Sequence, residues 1–386
     1  MKILHTVEAY HPSLGGMQEV VKQLSERLVR LGHDVTVATG THPLRRETMI
    51  NGVQVKPFDI TGNSVRGMKG QMEEYKNYLL HSSFDVITNF AAQQWATDIA
   101  LPVLHEIKAK KVFVPTGFSG FYLLEYKEYF EQMKTWMKQY DVNVFLSDDY
   151  RDINFARENG IEKNVLITNG AGADEFLSEV KIDIRKKLGI TSDSFLILLV
   201  GSYSGIKGHK EAAKIFFRSK IKNATLLLIG NNTELLIKQK SWGYKLSSLL
   251  SGGEKKIIIR HDLSREETVA AYRAADLFLF PSNIECSPIV LFECMAAHIP
   301  FLTTDVGNAG EILKWSGGGL LLPTSIDSKG YSHAEIEGSA KLLNELYMDE
   351  KERRRLSDSG YNAWKSNFTW ETIAKKYEQL YRDLVI

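Results

Sequence analysis

The sequence predicts an α/β protein of two doubly wound units, on three observations. Short apolar runs fit for buried strands alternate with stretches of helical periodicity. Twice, near Lys2 and again near Phe195, such a run leads through a glycine-containing loop into a helix. The chain of 386 residues, 44% hydrophobic and 25% charged, is long enough and apolar enough for two domains with separate cores.

Lys2–Val7 is the first expected strand, and His11–Gly16 the loop after it. From Met17 onward Val20, Val21, Leu24, Leu28 and Leu31 recur at helical spacing until Gly32, and Asp34–Thr39 is again a strand. Further strands are expected at Val53–Phe58, Asp85–Thr88, Lys111–Pro115, Val142–Leu146 and Asn164–Thr168. The second unit opens with the strand Phe195–Gly201, the loop Ser202–Gly208 and the helix His209–Lys220. Strands follow at Ala224–Gly230, Ile257–Arg260, Asp276–Phe280, Phe301–Asp305 and Leu320–Pro323. Ser264 and Glu267 form a capping-box pattern that opens a helix to Ala275. The charged stretch Leu177–Asp193 reads as a linker between Rossmann-like domains at residues 1–180 and 190–367.

A net charge of +1 gives no reason to expect a nucleic-acid partner. Two cysteines make no disulfide framework, which points to a reducing, cytoplasmic setting. The opening residues turn polar too quickly for a secretory leader, and no apolar run approaches the ~20 residues that span a bilayer. The aromatic and basic helix expected over Phe121–Tyr140 fits core packing better than a membrane surface, because Glu125, Glu128 and Glu131 interrupt it. Peripheral contact with the inner membrane face stays open, and the sequence leaves oligomeric state undetermined.

Three local patterns carry chemistry. Gly15-Gly16 sits where a strand hands over to a helix, so backbone amides can face a ligand there; a plain tight turn explains it equally well. The loop Gly201–Gly208 contains Lys207, a point charge suited to a diphosphate, but no Gly-Lys-Ser/Thr sequence that would make it a P-loop. Glu285 and Glu293 flank Ser287-Pro288, which reads as serine N-cap and proline at the first helical position. A helix start there would offer amides and partial positive charge to a phosphate, with a carboxylate on either side for sugar hydroxyls. Cys286 and Cys294 lack partners at zinc-like spacing. There is no Gly-x-Ser-x-Gly elbow, His-Glu-x-x-His or Asp-x-Asp triplet, so the expected chemistry uses no metal and no cofactor.

Taken together these residues resemble a family-4 retaining glycosyltransferase of the GT-B fold, among the glycosyl transferases group 1. The resemblance spans nearly the whole chain: Gly15-Gly16, then Leu31-Gly32-His33-Asp34-Val35, Thr168-Asn169-Gly170, Lys207-Gly208, Ala274-Ala275-Asp276, Pro281-Ser282, Glu285 with Glu293, and Gly307 with Glu311. It implies two Rossmann-like domains facing a cleft, with residues 368–386, including Phe368 and Trp370, forming a helix that crosses back to the first domain. It also implies a UDP- or GDP-linked sugar as substrate, and a saccharide, lipid-linked or other hydroxyl acceptor.

By the same resemblance Lys207 binds the diphosphate, Glu293 the nucleotide ribose and Glu285 the transferred sugar. The backbone at Pro288, Ile289 and Val290 grips the phosphates, and Gly16 meets donor or acceptor from the first domain. Two positions depart from the pattern. Ser202 stands where an arginine commonly follows the glycine of the lysine loop, and Thr116, before Gly117, stands in place of a histidine. Gly15, Asn89, Thr116 and Gly117 are the expected acceptor side. A nucleotide-sugar epimerase on the same fold, or a binding protein that no longer turns its ligand over, are the alternative readings.

Overall fold

Strands such as Phe195–Val200 and Ala224–Ile229 are nearly all Leu, Ile, Val or Phe, as expected where both faces of a parallel sheet are covered by helices. The computed structural model describes residues 1–231 and 254–386. It divides into two compact units: Met1–Asn169 with Trp370–Ile386, and Gly170–Thr369.

The first unit is built on an eight-stranded sheet. Its order is Asn164–Leu166, Val142–Phe145, Lys110–Val114, Val86–Phe90, Lys2–Thr6, Asp34–Gly40, Val53–Phe58 and Met49–Ile50. All neighbours are parallel except the last pair. The chain winds outward from Lys2–Thr6 on one side, returns to Val86–Phe90 on the other, and winds outward again. That reversal is a topological switch point, where the loops beyond the strand ends part and leave room for a ligand.

The terminal helix Trp370–Val385 completes this unit. It buries Trp370, Ile373, Ala374, Tyr377 and Tyr381. Tyr381 Oη lies 2.7 Å from Thr88 Oγ1 and 3.2 Å from His5 Nε2, in the middle of the sheet. Burial holds the His5 ring neutral, its pKa pushed down to about 3, and Ser25 Oγ at 2.8 Å satisfies the other ring nitrogen. Arg27 bonds Glu371 at 2.9 Å, tying the terminal helix to the helix Gly16–Arg30. The expected return of the chain end to the first domain is therefore present.

The second unit has six parallel strands in the order Lys255–Arg260, Ala224–Ile229, Phe195–Val200, Leu277–Phe280, Phe301–Thr303 and Gly319–Leu321. Its switch point lies between Phe195–Val200 and Leu277–Phe280. The capping box of Ser264 and Glu267 forms as read and opens the helix Arg265–Ala274.

Two local expectations are corrected. The stretch Leu177–Asp193 is no linker: Ile184 and Ile190 are buried in the second core, and Ile184–Leu188 is helical. The segment 121–140 is not one helix. A short 3₁₀ turn at Leu124–Tyr126 precedes the helix Lys127–Gln139, which turns Tyr129, Phe130, Met133 and Met137 into the core. Among the described residues no helix is long and apolar enough to cross a membrane.

Candidate functional site

The switch point of the second sheet gathers the residues singled out from sequence. The strand Phe195–Val200 runs into the loop holding Lys207, and Leu277–Phe280 runs into the loop holding Glu285. Lys207 Nζ and Glu285 Oε1 are 2.6 Å apart, and the Ser282 hydroxyl donates to the same oxygen at 2.8 Å. Both side chains of the ion pair are largely but not fully covered, at 23% and 12% exposure. The pair is therefore shielded yet within reach of a ligand.

The backbone is shaped for this approach. Asn283 N–H donates to the Ile206 carbonyl at 2.9 Å, which ties the two loops together. Gly208 has φ of 71°, and a Cβ there would overlap the Pro281 carbonyl, so only glycine closes the lysine loop against the glutamate loop.

The helix beside the pair is Ile289–Ala296, and its N-cap is Pro288. This corrects the reading of Ser287 as N-cap with proline at the first helical position: the helix starts one residue later, with no side-chain cap bond. Pro288 has no N–H, so it offers a phosphate no hydrogen bond. Among the described residues the amides of Ile289 and Val290 have no carbonyl partner, since the first turn of a helix has no internal carbonyls for them.

Glu293 lies one turn further along and is only 3% exposed. Arg265 Nη1 stands 2.6 Å from its Oε1. Burial raises the Glu293 pKa, and the Arg265 charge opposes that rise. The same guanidinium forks onto Glu175, with Nε and Nη2 at 2.8 and 2.9 Å. One cation thus holds two carboxylates, which fixes Glu293 in place, and the nearby Glu175 charge adds to the rise in its pKa. Ser202, where an arginine was expected, contributes a hydroxyl that meets Ser204 Oγ at 3.4 Å. Cys294 is buried in the core, which pushes its thiol pKa up, and Cys286 is partly exposed.

In the first unit Gly15 and Gly16 open the helix Gly16–Arg30 with no side-chain cap. A Cβ on Gly16 would meet nothing within 4 Å, so packing does not demand glycine there. Arg45 fixes the preceding loop by donating to the carbonyls of Tyr10, His11 and Gly40 at 2.8, 2.7 and 2.7 Å. Asn89 is corrected: it is 1% exposed inside the sheet, donating to Thr6 Oγ1 at 2.7 Å and accepting from Tyr140 Oη at 2.9 Å. It is a core residue and lines no rim. Thr116 and Gly117 do lie beyond a strand end, in a loop where Thr116, Gly117 and Phe118 have φ of 61°, 93° and 51°.

Sequence reasoning missed Arg265, Arg45 and Asp152, whose carboxylate takes the Gly117 N–H at 2.8 Å. Only Arg265 had a signal, since it occupies the first turn of the recognised capping box.

Comparison with known proteins agrees with the fold. Residues 180–363 match the family model of glycosyl transferases group 1. An uncharacterized glycosyltransferase of Methanocaldococcus jannaschii is 24% identical over 99% of this chain and 98% of its own length. Among solved structures, sucrose-phosphate synthase from Thermosynechococcus elongatus matches with a TM-score of 0.79 at 18% identity, covering 99% of this chain and 98% of that one. Anabaena HepE, solved in complex with UDP and glucose, matches with a TM-score of 0.76 at 15% identity, covering 99% of this chain and 100% of that one. The chain thus has the GT-B fold of glycosyltransferases, and its residues 180–363, nearly all of the second unit, are similar to the glycosyl transferases group 1.

Proposed function

We propose that the protein is a retaining hexosyltransferase that moves a sugar from a UDP- or GDP-linked donor to an acceptor hydroxyl, without a metal or cofactor. One observation carries this reading: the Lys207–Glu285 pair stands beside the open start of the helix Ile289–Ala296, at the switch point of the second sheet. A lysine cation and two helix amides suit the diphosphate. Glu285, one salt-bridge length from that cation, suits a hydroxyl of the attached sugar. Glu293, already held in place by Arg265, accepts from the ribose. The likeness to HepE, solved with UDP and glucose, supports the donor class.

The chemistry is front-face transfer. The bond from the anomeric carbon to the diphosphate oxygen breaks, the acceptor oxygen bonds to the same face, and the departing diphosphate takes the acceptor proton. Lys207 and the amides of Ile289 and Val290 stabilise the charge that develops on the leaving group. The first unit takes the acceptor, a saccharide, lipid-linked or other hydroxyl compound, and Gly16 leaves its helix start open to substrate.

A thermal-shift panel of UDP-glucose, UDP-N-acetylglucosamine, GDP-mannose and ADP-glucose tests the reading. A donor at 100 times its dissociation constant adds ~2.7 kcal/mol of stability. The donor that stabilises most is then followed by NMR with an acceptor panel, where product should appear with the donor's anomeric configuration. Inverted product rules out retention. Epimerised donor without acceptor points to an epimerase, and binding without product to a protein that has lost turnover. No shift with any donor overturns the proposal.

A further inference from the structure

Positive-φ residues of the first unit cluster at one edge of its sheet. At the ends of the neighbouring strands Val86–Phe90 and Lys110–Val114, five residues with side chains or next to them lie at positive φ: Ala91 at 62°, Gln93 at 63°, Thr116 at 61°, Gly117 at 93° and Phe118 at 51°. For a β-branched residue such as Thr116 this is a marked outlier. A non-glycine residue so held is strained, and it persists only where its surroundings over-determine it.

The surroundings do so from two sides. Asp152, 1% exposed, receives the Gly117 N–H on one carboxylate oxygen at 2.8 Å and the Ile153 N–H on the other at 3.0 Å. Gln93 receives the Gly120 N–H at 3.1 Å and the Ser119 hydroxyl at 3.3 Å. Gln93 is itself pinned: its N–H donates to Tyr129 Oη at 3.0 Å, and Tyr129 donates to the buried Asp98 at 2.8 Å. The two strained loops are also joined directly, by Ala91 N–H to the Val114 carbonyl at 2.8 Å and Ala92 N–H to the Pro115 carbonyl at 3.1 Å.

We propose that Asp152 and Gln93 are positioning residues, which hold segment 116–120, on the substrate side that the family resemblance implies, in one backbone conformation. The inference rests on the transferase reading. The amides of Thr116, Phe118 and Ser119 and the Thr116 hydroxyl have no partner among the described residues. These donors belong to a loop at the C-terminal edge of a parallel sheet, next to its switch point, where ligands of such sheets bind. The Asp152 carboxylate under Gly117 makes this loop a poor host for an anion. Neutral hydroxyl oxygens, as on a sugar, are the ligand class that fits. Asp152 and Gln93 touch no substrate; they act by fixing where the donors point.

The test compares Asp152→Ala, Asp152→Asn and Gln93→Ala with the parent protein. Dissociation constants for UDP and GDP are measured first, then turnover of the donor ranked highest among the four nucleotide sugars, and hydrogen exchange of peptides spanning 112–121. Both alanine variants should lose protection across 116–120 and turn over roughly 10- to 100-fold more slowly, the scale of a misplaced positioning element. Their nucleotide affinity, set by the second unit, should stay within about twofold of the parent. Asp152→Asn keeps an oxygen for the Gly117 N–H and should regain most of the turnover and protection.

Full protection in the alanine variants overturns the inference, as does lost protection with unchanged turnover. Equal loss of nucleotide binding and turnover overturns it as well, by showing a general structural role. If the parent protein binds no nucleotide or turns over none of the four donors, the transferase reading fails and this inference falls with it, a result distinct from failure in the variants alone.

Discussion

Lys207→Ala removes the cation at the switch point of the second sheet and touches little else. Lys207 Nζ pairs with Glu285 at 2.6 Å, and Gly208 and the Asn283–Ile206 bond hold the loop backbone independently of the side chain. A charge-stabilising donor at a developing oxyanion is worth ~3 kcal/mol of barrier. At 1.36 kcal/mol per decade, turnover at saturating donor should fall by roughly 100-fold or more. The fold should lose far less. Glu285 keeps the Ser282 hydroxyl at 2.8 Å, so the cost lies between the ~0.5 kcal/mol of an exposed pair and the ~3 kcal/mol of a buried one. At about 2–4 °C per kcal/mol for a unit of this size, the melting temperature should drop by several degrees and leave the protein folded at 25 °C. The assay is nucleoside-diphosphate release under donor saturation, with melting temperature measured beside it. Unchanged turnover in a folded variant refutes the assignment of Lys207 to the leaving group.

Glu293→Gln should weaken UDP or GDP binding about 10- to 100-fold by calorimetry, the worth of one charged hydrogen bond, while Arg265 keeps its fork onto Glu175; equal affinity would remove Glu293 from the ribose site. Gly208→Ala should cost more than about 2 kcal/mol, because it combines a φ of 71° with overlap on the Pro281 carbonyl, and both melting temperature and nucleotide affinity should fall. Asp152 predicts a pH effect. Burial raises its pKa from the model-peptide 3.8 to about 6, so between these values the folded protein holds the proton that the unfolded chain has released. This favours the fold below about pH 4 and is lost as pH rises to about 6. The loss amounts to about 3 kcal/mol at neutral pH by the size of the shift. Asp152→Asn escapes this loss, so its melting temperature should gain on the parent's from pH 4.5 to 7.5. A gap that stays constant with pH would contradict it.

What the sequence made legible was local. Apolar runs located the sheet strands because a strand buried on both faces needs little else, and Ser264 with Glu267 located a helix start because a capping box is complete within four residues. The Lys207 and Glu285 loops were legible for the same reason, as glycine and proline punctuation after strands. Strand order was not readable, and strand order is what brings Lys207 against a glutamate 78 residues away. Arg265 and Glu175, 90 residues apart, escaped for the same cause. Asn89 misled because an asparagine after an apolar run looks solvated, whereas Thr6 and Tyr140 supply partners for its amide inside the sheet. Thr116 gave no sign of its left-handed backbone, because the clamps that impose it come from Gln93 and from Asp152, 35 residues beyond the glycine it holds. At Pro288 the error was one residue, and it mattered because the missing N–H removes one of three assumed phosphate contacts.

The central claim is that the second unit holds a nucleoside diphosphate between Lys207 and the start of the helix Ile289–Ala296. Calorimetric titration of the parent protein and Lys207→Ala with UDP, GDP and the matching nucleoside monophosphates tests it most directly. The account predicts one site per chain, tighter binding of a diphosphate than of its monophosphate, and loss of most of that difference in Lys207→Ala. Binding that ignores the second phosphate, or a diphosphate preference that survives the substitution intact, would contradict it.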